Sequence, residues 1–365
     1  MKITGIRSGI VKLPVEALRG VIRNNPNPTW PVVWLRVETD QGIEGIGVSF
    51  FGETLTRSLK CAIDDLGALL IGDDPLLVEA VAQKLRNAAG SSAGPGGIFT
   101  LAIAALDIAL WDIKGKALNL PLWKLLGGAR NRIAAYSSGD LMKGLSLDEV
   151  VAAAAKLKDK GWREIKTQLA ISGNKPAQEI DRVRRIREAI GPDIKLMCDV
   201  NQLWRPEQAI DMGRRIEEAG VRLGWLEDAT THDDLAGNAR VTSALSTPTA
   251  GGEYVWGMVP FRQIIEARSF DIVMIDLIRV GGITPWMKVA GMAEAFNLPV
   301  VSHMVPEIHL HLVAAAPNGL TVEYMAWLTP MYKEVPLPQN GELMLPAAPG
   351  LGLEFDQAAL DRYGA

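Results

Sequence analysis

The sequence predicts an α/β protein in which a barrel of parallel strands follows a smaller α+β segment. Two patterns support this fold class. From about Arg132 onward, short β-like runs alternate strictly with helical runs of about 10 to 15 residues, the arrangement of strand–helix–strand units in a parallel sheet. Upstream of that point the order differs, because a hairpin precedes a series of helices. The length of 365 residues leaves room for both parts.

The upstream segment contains one clear hairpin signal. Residues 32–50 alternate apolar and polar side chains around Asp40-Gln41-Gly42, a turn sequence with glycine where the backbone reverses. Apolar residues then recur every three or four positions in three stretches. This periodicity predicts helices over residues 55–70, 76–89 and 98–117.

The downstream part contains eight β-like runs. They cover residues 133–139, 163–169, 195–201, 222–228, 247–253, 272–277, 299–303 and 320–324. Eight such strands predict a barrel closed on itself, although an open, doubly wound sheet has the same one-dimensional pattern. The dinucleotide fingerprint of open sheets is missing, because no strand is followed by Gly-x-Gly-x-x-Gly. Ser146 and Glu149 predict a capping box at the start of one helix.

Composition excludes several classes of function. The 38 basic and 42 acidic residues give a net charge of −4, which indicates no nucleic-acid partner. Charges begin at Lys2, and no stretch offers the ~18 uninterrupted apolar residues of a membrane span, so we expect a cytoplasmic protein without a membrane partner. Two cysteines, Cys61 and Cys198, provide neither a disulfide framework nor a thiolate zinc cluster, and we expect both to be core residues.

Polar or charged side chains recur where the predicted barrel strands end. The first and last are 157 positions apart, and neighbours are 20 to 33 residues apart, about one strand-plus-helix unit: Lys166, Asp199, Glu227, Glu253, Asp276, His303 and Glu323. In a closed barrel these side chains converge at the carboxyl ends of the strands, where barrel enzymes place their chemistry.

Three carboxylates on consecutive strands predict a metal site. Asp199, Glu227 and Glu253 each follow an apolar run, and clustered carboxylates repel one another unless a cation neutralises them. All-oxygen ligands favour Mg²⁺, with Mn²⁺ as the next candidate. The alternative is that each acid only begins a loop after its strand, which is common for one acid and much rarer for three in succession.

His303 is the predicted general base. Asp276 ends the preceding strand, and a neighbouring carboxylate fixes the tautomer of an imidazole and raises its basicity. Such a pair beside a metal ion is suited to removing a proton next to a carboxylate. His309 and His311 lie in an apolar helical run and are expected to be packing or surface residues.

Two further segments resemble a known family. Residues 102–116 (AIAALDIALWDIKGK) and 121–128 (PLWKLLGG) are similar to the signature of the mandelate racemase/muconate lactonizing enzyme family of the enolase superfamily. The resemblance spans nearly the whole chain. It implies a modified TIM barrel, (β/α)7β, under an α+β capping domain, a small-molecule carboxylate substrate and a homo-oligomer.

The resemblance also implies how the chain is divided. Residues 1–128 would form the capping domain and residues 129–325 the catalytic barrel. The tail, residues 326–365, is rich in proline and glycine, has little periodicity, and is expected to fold back onto the capping domain. Loops of the cap, at about residues 14–31 and 49–57, would select the substrate.

By resemblance, the polar residues at the strand ends take specific roles. Asp199, Glu227 and Glu253 become the Mg²⁺ ligands. His303 and Asp276 become the base dyad of the racemase and acid-sugar dehydratase subgroup.

The remaining residues of the site would contact the substrate. Lys166 is expected to stabilise the substrate carboxylate through its charge, and Glu323 to hydrogen-bond it, with Gln168 and Asn201 as further substrate-binding residues. Gln168 departs from the family pattern, because racemases have a second lysine there as the base on the opposite face. Glutamine has no accessible pKa and cannot replace it. A second departure, Glu227-Asp228-Ala229 in place of Glu-Glu-Pro, leaves the first carboxylate intact.

These observations predict a lyase. The metal would bind the carboxylate of an α-hydroxy acid, His303 would take the α-proton, and the enediolate would expel the β-hydroxyl as water. This reaction is the dehydration of an acid sugar to a 2-keto-3-deoxy acid. The alternatives are a racemase, epimerase or cycloisomerase, and a barrel that has lost activity and only binds a metal and a carboxylate ligand.

Overall fold

The fold was established from a computed structural model, which describes residues 1–15, 27–90, 94–173 and 175–365. Much of the predicted specificity loop at residues 14–31 therefore lies outside the described residues. Within them, no helix has both the length and the apolar character that crossing a membrane requires.

The amino-terminal domain is built on a three-stranded antiparallel sheet of β1 (Ile3–Pro14), β2 (Thr29–Thr39) and β3 (Glu44–Ser49). The β2–β3 hairpin confirms the prediction from residues 32–50. The long first strand was not predicted. It pairs with β2 along its whole length, and its charged residues Arg7 and Lys12 point outward, which interrupts the apolar pattern of the sequence.

Three helices follow, as the periodicity predicts: α1 (Thr56–Ala68), α2 (Val78–Ala88) and α3 (Gly97–Ala117). Cys61 lies on the exposed side of α1, so the prediction that it is a core residue is wrong; the buried side of this helix consists of Thr56, Leu59, Ile63 and Gly67. Cys198 is buried, as expected.

Helix α3 is the central element of the domain, with 14 of its 21 residues buried. It packs against β3 on one side and against the barrel on the other. On the sheet side, Gly45 and Gly47 allow close approach, because a Cβ atom on either would collide with the carbonyl of Ala109 or Ala105. Burial on all sides explains why this helix is apolar around its whole circumference.

Buried hydrogen bonds join α3 to the barrel. The Asp107 carboxylate accepts a hydrogen bond from the backbone N–H of Thr284 (2.9 Å), and the indole of Trp111 donates to the hydroxyl of Thr284 (2.8 Å). Burial raises the pKa of Asp107 to about 6, although the hydrogen bonds from Thr284 oppose this. The residues that carry the family resemblance thus connect the two domains.

The second domain is a closed parallel barrel. A short helix, α4 (Leu122–Leu125), precedes its eight strands, which are β4 (Arg132–Leu141), β5 (Glu164–Gln168), β6 (Lys195–Asp199), β7 (Leu226–Glu227), β8 (Thr249–Gly251), β9 (Ile272–Asp276), β10 (Val300–His303) and β11 (Thr321–Tyr324). The strands lie in chain order from β4 to β10, and β11 pairs with β4.

Two hydrogen bonds close the ring between β10 and β11. The N–H of Leu320 donates to the carbonyl of Val300 (2.9 Å), and the N–H of Val300 donates to the carbonyl of Asn318 (3.0 Å). Neighbouring strands of the barrel are parallel, and the strand order follows the chain without reversing direction. This order rules out the open, doubly wound alternative. All eight predicted strands are confirmed.

The connecting helices complete a (β/α)7β arrangement. They are α5 (Leu147–Asp159), α6 (Pro176–Ile190), α7 (Pro206–Glu218), α8 (Leu235–Ala244), α9 (Met258–Glu266), α10 (Leu277–Val280), α11 (Ile283–Ala295) and α12 (Pro306–Ala315). Helix α5 begins with the predicted capping box of Ser146 and Glu149. No helix follows β11 directly, so the eighth unit lacks its helix and the chain continues into the tail.

The tail contacts both domains. Strand β12 (Glu342–Met344) pairs antiparallel with β4 of the barrel, and helix α13 (Gln357–Tyr363) packs near β1 of the cap. The N–H of Ala365 donates to the carbonyl of Ile10 (3.0 Å). The pairing with the barrel was not predicted, since the tail was expected to pack on the capping domain. The exact domain boundaries stay a prediction.

We expect Gly47→Ala to destabilise the protein, because the added methyl group would collide with the backbone of α3. Overpacking of this kind costs about 1 to 3 kcal/mol, which corresponds to a melting temperature lower by about 2 to 6 °C. Gly291→Ala at an exposed position of α11 is the control, since a Cβ there meets nothing within 4 Å and alanine favours the helix. Thermal unfolding of both variants checks this; a Gly47→Ala variant as stable as the parent would contradict the proposed packing.

Candidate active site

The predicted polar residues meet around one cavity at the carboxyl ends of the barrel strands. The cavity has a volume of about 200 Å³ and lies between the barrel and the cap. Seven predicted residues line it: Lys166, Gln168, Asn201, Asp199, Glu253, His303 and Glu323. The other two, Glu227 and Asp276, lie behind this lining and contact it through Lys166 and His303.

Strand register explains the convergence. Parallel pairing places Gln168 beside Asp199, Asp199 beside Glu227, and His303 beside Asp276. Each of these residues is the last of its strand. Because these strands end at the same level of a closed barrel, residues that are 27 to 31 positions apart in sequence become neighbours.

Lys166 lies at the centre of the carboxylates. Its ammonium is 2.5 Å from Glu227 Oε1, 2.7 Å from Glu323 Oε1 and 3.8 Å from Asp199 Oδ2. Burial alone would lower the pKa of Lys166, but the nearby carboxylates raise it well above its usual range. The lysine is therefore charged and partly neutralises an acidic cluster.

A group of buried carboxylates remains without enough positive charge. Oxygens of Glu227, Asp228 and Glu253 lie within 4.8 Å of one another. Neither oxygen of Asp228 has a hydrogen-bond partner among the described residues, and the same is true of Glu253 Oε2. Burial raises the pKa of both Glu227 and Asp228. Unpartnered, buried carboxylate oxygens fit a divalent cation of the Mg²⁺ or Mn²⁺ type.

The carboxylates of this group are not all the predicted metal ligands, because Asp228 takes the place expected for Asp199. Both Asp199 oxygens accept hydrogen bonds from Asn201, one from its backbone N–H and one from its side-chain amide, each 2.7 Å long. Asp199 thus lies at the edge of the cluster, and Asp228 lies within it. Side chains alternate along a strand, which would direct Asp228 away from Glu227. The left-handed backbone of Asp228, with φ of 39°, breaks that alternation, and the sequence gives no sign of it.

His303 and Asp276 form a buried pair. His303 Nδ1 is 2.6 Å from Asp276 Oδ2, and the other oxygen, Asp276 Oδ1, accepts the backbone N–H groups of Ile278 (2.8 Å) and Arg279 (2.7 Å). Burial would raise the pKa of Asp276, but Arg279 and the hydrogen bond from His303 lower it to about 2. The carboxylate is therefore ionised and its orientation is fixed.

The other imidazole nitrogen is available for chemistry. His303 Nε2 is 3.4 Å from Glu253 Oε2, on the side of the cavity. Burial would lower the pKa of His303, but Glu253 and the hydrogen bond to Asp276 raise it to about 9. A cation bound by Glu253 would oppose that increase by competing for the carboxylate charge.

Glu323 is held in an ionised state. One oxygen pairs with Lys166, and the other accepts a hydrogen bond from the N–H of Met304 (2.7 Å). Burial would raise the pKa of Glu323, but Lys166 and His303 lower it to about 2.

Gln168 and Asn201 form a neutral, hydrogen-bonded part of the wall. Gln168 Oε1 accepts the backbone N–H of Lys143 (3.1 Å), and Gln168 Nε2 donates to Asn201 Oδ1 (3.1 Å). Two strands, β11 and β4, separate β5 with Gln168 from β10 with His303 in the shorter direction around the ring. Gln168 is therefore far around the barrel from His303, and its hydrogen-bond partners among the described residues are a backbone N–H and a side-chain amide.

Aromatic side chains from the cap help to form the cavity wall, and they lie within the predicted specificity loops at residues 14–31 and 49–57, although the sequence did not single them out. Trp30 of β2 lines the cavity, with ring centroids 5.0 Å from Trp327 and 5.7 Å from Phe50. Phe50 belongs to the predicted specificity loop at residues 49–57, which thus reaches the cavity wall through Trp30. A single sequence does not reveal which cap residue meets which barrel loop.

Two other residues of the wall, Tyr254 and Arg279, were also missed. The guanidinium of Arg279 lies 5.0 Å from the centroid of the Tyr254 ring and donates to the carbonyl of Glu253 (2.8 Å). In the sequence, Tyr254 directly follows Glu253, and Arg279 lies three residues after Asp276. These positions next to predicted site residues could have marked both as part of the cavity wall.

His309 and His311 are packing residues, which is one of the two alternatives that the sequence predicted; the other was a surface position. Both are fully buried in α12. His309 Nδ1 is 2.7 Å from the carbonyl of Met304, and His311 Nε2 is 3.0 Å from the carbonyl of Leu351. Burial lowers the pKa of each to about 4, so both are neutral side chains of the core.

Comparisons with known proteins agree with this architecture. Residues 21–127 match the mandelate racemase/muconate lactonizing enzyme N-terminal domain, and residues 149–359 match the enolase C-terminal domain-like family. An L-talarate/galactarate dehydratase of Salmonella typhimurium is 32% identical over 337 residues, 92% of this chain and 83% of that protein. A 3,6-anhydro-alpha-L-galactonate cycloisomerase of Streptomyces coelicolor is 30% identical, with 98% of each chain covered.

A solved structure shows the same fold. The crystal structure of the Salmonella typhimurium L-talarate/galactarate dehydratase, liganded with Mg and L-lyxarohydroxamate, superposes with a TM-score of 0.92. The two sequences are 31% identical, and the alignment covers 100% of this chain and 93% of the other. Two matched domains, the relatives and the shared fold lead to one conclusion: this chain belongs to the mandelate racemase/muconate lactonizing enzyme family of the enolase superfamily.

Proposed function

We propose that this protein is a Mg²⁺-dependent hydro-lyase that dehydrates an acid sugar to a 2-keto-3-deoxy acid. The observation that carries the proposal is the buried His303–Asp276 pair beside a carboxylate cluster in which both oxygens of Asp228 and one oxygen of Glu253 have no hydrogen-bond partner among the described residues. A dehydratase related over 92% of this chain, whose structure is liganded with Mg, supports the same reaction class. Mn²⁺ is the alternative ion for the same oxygen ligands.

The metal ligands proposed are Asp199, Glu227 and Glu253, with Asp228 adjacent to them. When bound, Mg²⁺ supplies positive charge to the substrate carboxylate and so stabilises the enediolate. Lys166 adds a second positive charge at the same place, and its own carboxylate partners keep it protonated.

His303 is the proposed base. Asp276 holds Nδ1 in its protonated form, which leaves Nε2 to take the α-proton on the cavity side. The resulting imidazolium is stabilised by the ionised Asp276. It can then protonate the leaving β-hydroxyl when that hydroxyl lies on the same face, so one residue serves both proton transfers.

The role of Glu323 toward the substrate stays a prediction. In the structure this carboxylate is ionised and bound to Lys166 and to the N–H of Met304. An ionised Glu323 holds Lys166 in place rather than donating a hydrogen bond to a substrate carboxylate, and donation would require it to gain a proton.

An isomerase is the second candidate, because a cycloisomerase relative covers 98% of both chains. The absence of a second titratable group at Gln168 favours the lyase. A barrel that only binds its ligand would not need the buried His303–Asp276 pair. The cytoplasmic location and the homo-oligomeric state stay predictions of the sequence.

We expect Glu253→Gln to abolish Mg²⁺ binding and turnover together, because the metal site loses one of its charged ligands. Isothermal titration calorimetry should show Mg²⁺ affinity weaker by at least about 100-fold, and Mg²⁺ should no longer raise the melting temperature. Glu266→Gln in the exposed part of α9 is the matched control. Full activity of the parent protein in excess chelator would refute a metal-dependent reaction.

We expect His303→Asn to lower the rate at which the substrate α-proton exchanges with solvent deuterium by about 10²- to 10⁴-fold, which is the usual contribution of a general base. Its Mg²⁺ affinity should stay close to that of the parent. Asp276→Asn should lower the exchange rate through the tautomer and basicity of His303. Exchange at the parental rate in His303→Asn would mean that another residue is the base.

We expect α-proton exchange at only one configuration of the substrate, because Gln168 supplies no acid or base on the second face. Nuclear magnetic resonance of both α-epimers in deuterium oxide measures this directly. Gln168→Lys should gain slow exchange of the other epimer where the pocket admits the longer side chain. Rapid interconversion of the two epimers by the parent protein would establish an epimerase and would assign the second proton transfer to Lys166.

A further inference from the structure

We propose that Lys143 binds a second substrate carboxylate, so that this site prefers dicarboxylic acid sugars (aldaric acids) over monocarboxylic ones (aldonic acids). The inference rests on the proposed function, since it concerns the substrate class of the same cavity. It starts from a lysine in the loop after β4 that the sequence did not mark as functional.

Lys143 reaches the polar wall of the cavity from outside. Its ammonium is 3.4 Å from Asn201 Oδ1, and the Nδ2 of the same amide donates to Asp199 Oδ2 (2.7 Å). The ammonium and a proposed metal ligand therefore contact opposite ends of one small side chain. A short substrate with its first carboxylate at the metal can extend along this wall toward Lys143.

Lys143 lies behind Asn201, outside the lining of the cavity, and its positive charge is not neutralised by a neighbouring carboxylate among the described residues. Lys166 already has three carboxylates around its ammonium. Arg279 lies 3.8 Å from Asp276 Oδ2, donates to the carbonyl of Glu253 and stacks over Tyr254. Among the described ranges no carboxylate lies within ion-pair distance of Lys143, whose ammonium contacts only a neutral amide oxygen.

The backbone around Lys143 is fixed in advance. Its N–H donates to Gln168 Oε1 (3.1 Å). On either side, the guanidinium of Arg182, which is only 3% exposed, donates to the carbonyls of Met142 (3.0 Å) and Leu145 (3.1 Å). Only the lysine side chain has to rearrange on binding, which keeps the cost of ordering small.

The neighbouring wall suits the chain between two carboxylates. Gln168 and Asn201 offer amide groups to hydroxyls, and Trp30 and Trp327 offer aromatic faces to C–H groups. A hydroxymethyl group at that end of the substrate would give Lys143 another neutral partner and would add little binding free energy. A carboxylate end would form a charge-assisted hydrogen bond, which is roughly twice as strong as a neutral one.

The test compares hexaric and hexonic acids of matched configuration in the presence of Mg²⁺. Dissociation constants come from titration calorimetry, and kcat/KM values from those acids that turn over. The parent protein should bind the best hexaric acid at least about 10-fold more tightly than its hexonic match. Lys143→Met should weaken binding of the hexaric acid by about 10- to 100-fold and leave the affinity for the hexonic acid nearly unchanged.

Two further variants separate recognition from general effects. Lys143→Arg keeps the charge and should retain most of the preference for the hexaric acid. Lys175→Met removes an exposed positive charge at the start of α6 and should leave the ratio of the two affinities unchanged.

Other outcomes would overturn the inference. A parent protein that binds the hexonic acid as tightly as the hexaric one refutes it, and so does a Lys143→Met variant that weakens both acids equally. Binding with the expected ratio but no dehydration would refute the proposed reaction and leave the role of Lys143 intact. Failure of every acid to bind would refute both.

Discussion

The whole site depends on one electrostatic constraint, which is the burial of many carboxylates around a single lysine. Glu227, Asp228, Glu253 and Glu323 have almost no solvent exposure, and in the part of the chain that the structure describes Lys166 is the lysine that pairs with members of this group. Removing charges from water is costly unless they are paired, so such a cluster is stable only when cations and protons balance it. The barrel supplies the position of each carboxylate, and the imbalance that remains is the physical basis for a metal ion.

The division of labour between the two domains follows from this constraint. The barrel provides titratable groups at strand ends, where register determines their neighbours. The cap provides Trp30, which lines the same cavity as the charged groups and contacts Trp327. Exclusion of water strengthens every interaction among those charges. The titratable groups therefore come from the barrel, whereas the wall of the cavity is shared between the barrel and the cap.

Periodicity located the eight strands, and the spacing of polar residues at their ends located most of the site, whereas closure of the barrel could not be told from the pattern alone. His303 and Asp276 could be paired from sequence because each ends a strand and the two strands are neighbours. Asp228 could not be placed, since its position depends on a left-handed backbone that no pattern encodes. The same holds for Lys143, whose location depends on a loop held by Arg182, and for Trp30, which depends on how the domains dock. Strand β1 was missed because its exposed face carries charges.

The burial of α3 also limits how a substrate can enter. This helix is packed between the cap sheet and the barrel, and Asp107 and Trp111 both bond to Thr284 at the start of α11. Opening the cap as a hinged domain would expose that apolar helix and break those buried bonds. Ligand exchange at this cavity is thus expected to proceed by local loop rearrangement, with the two domains remaining together throughout the catalytic cycle.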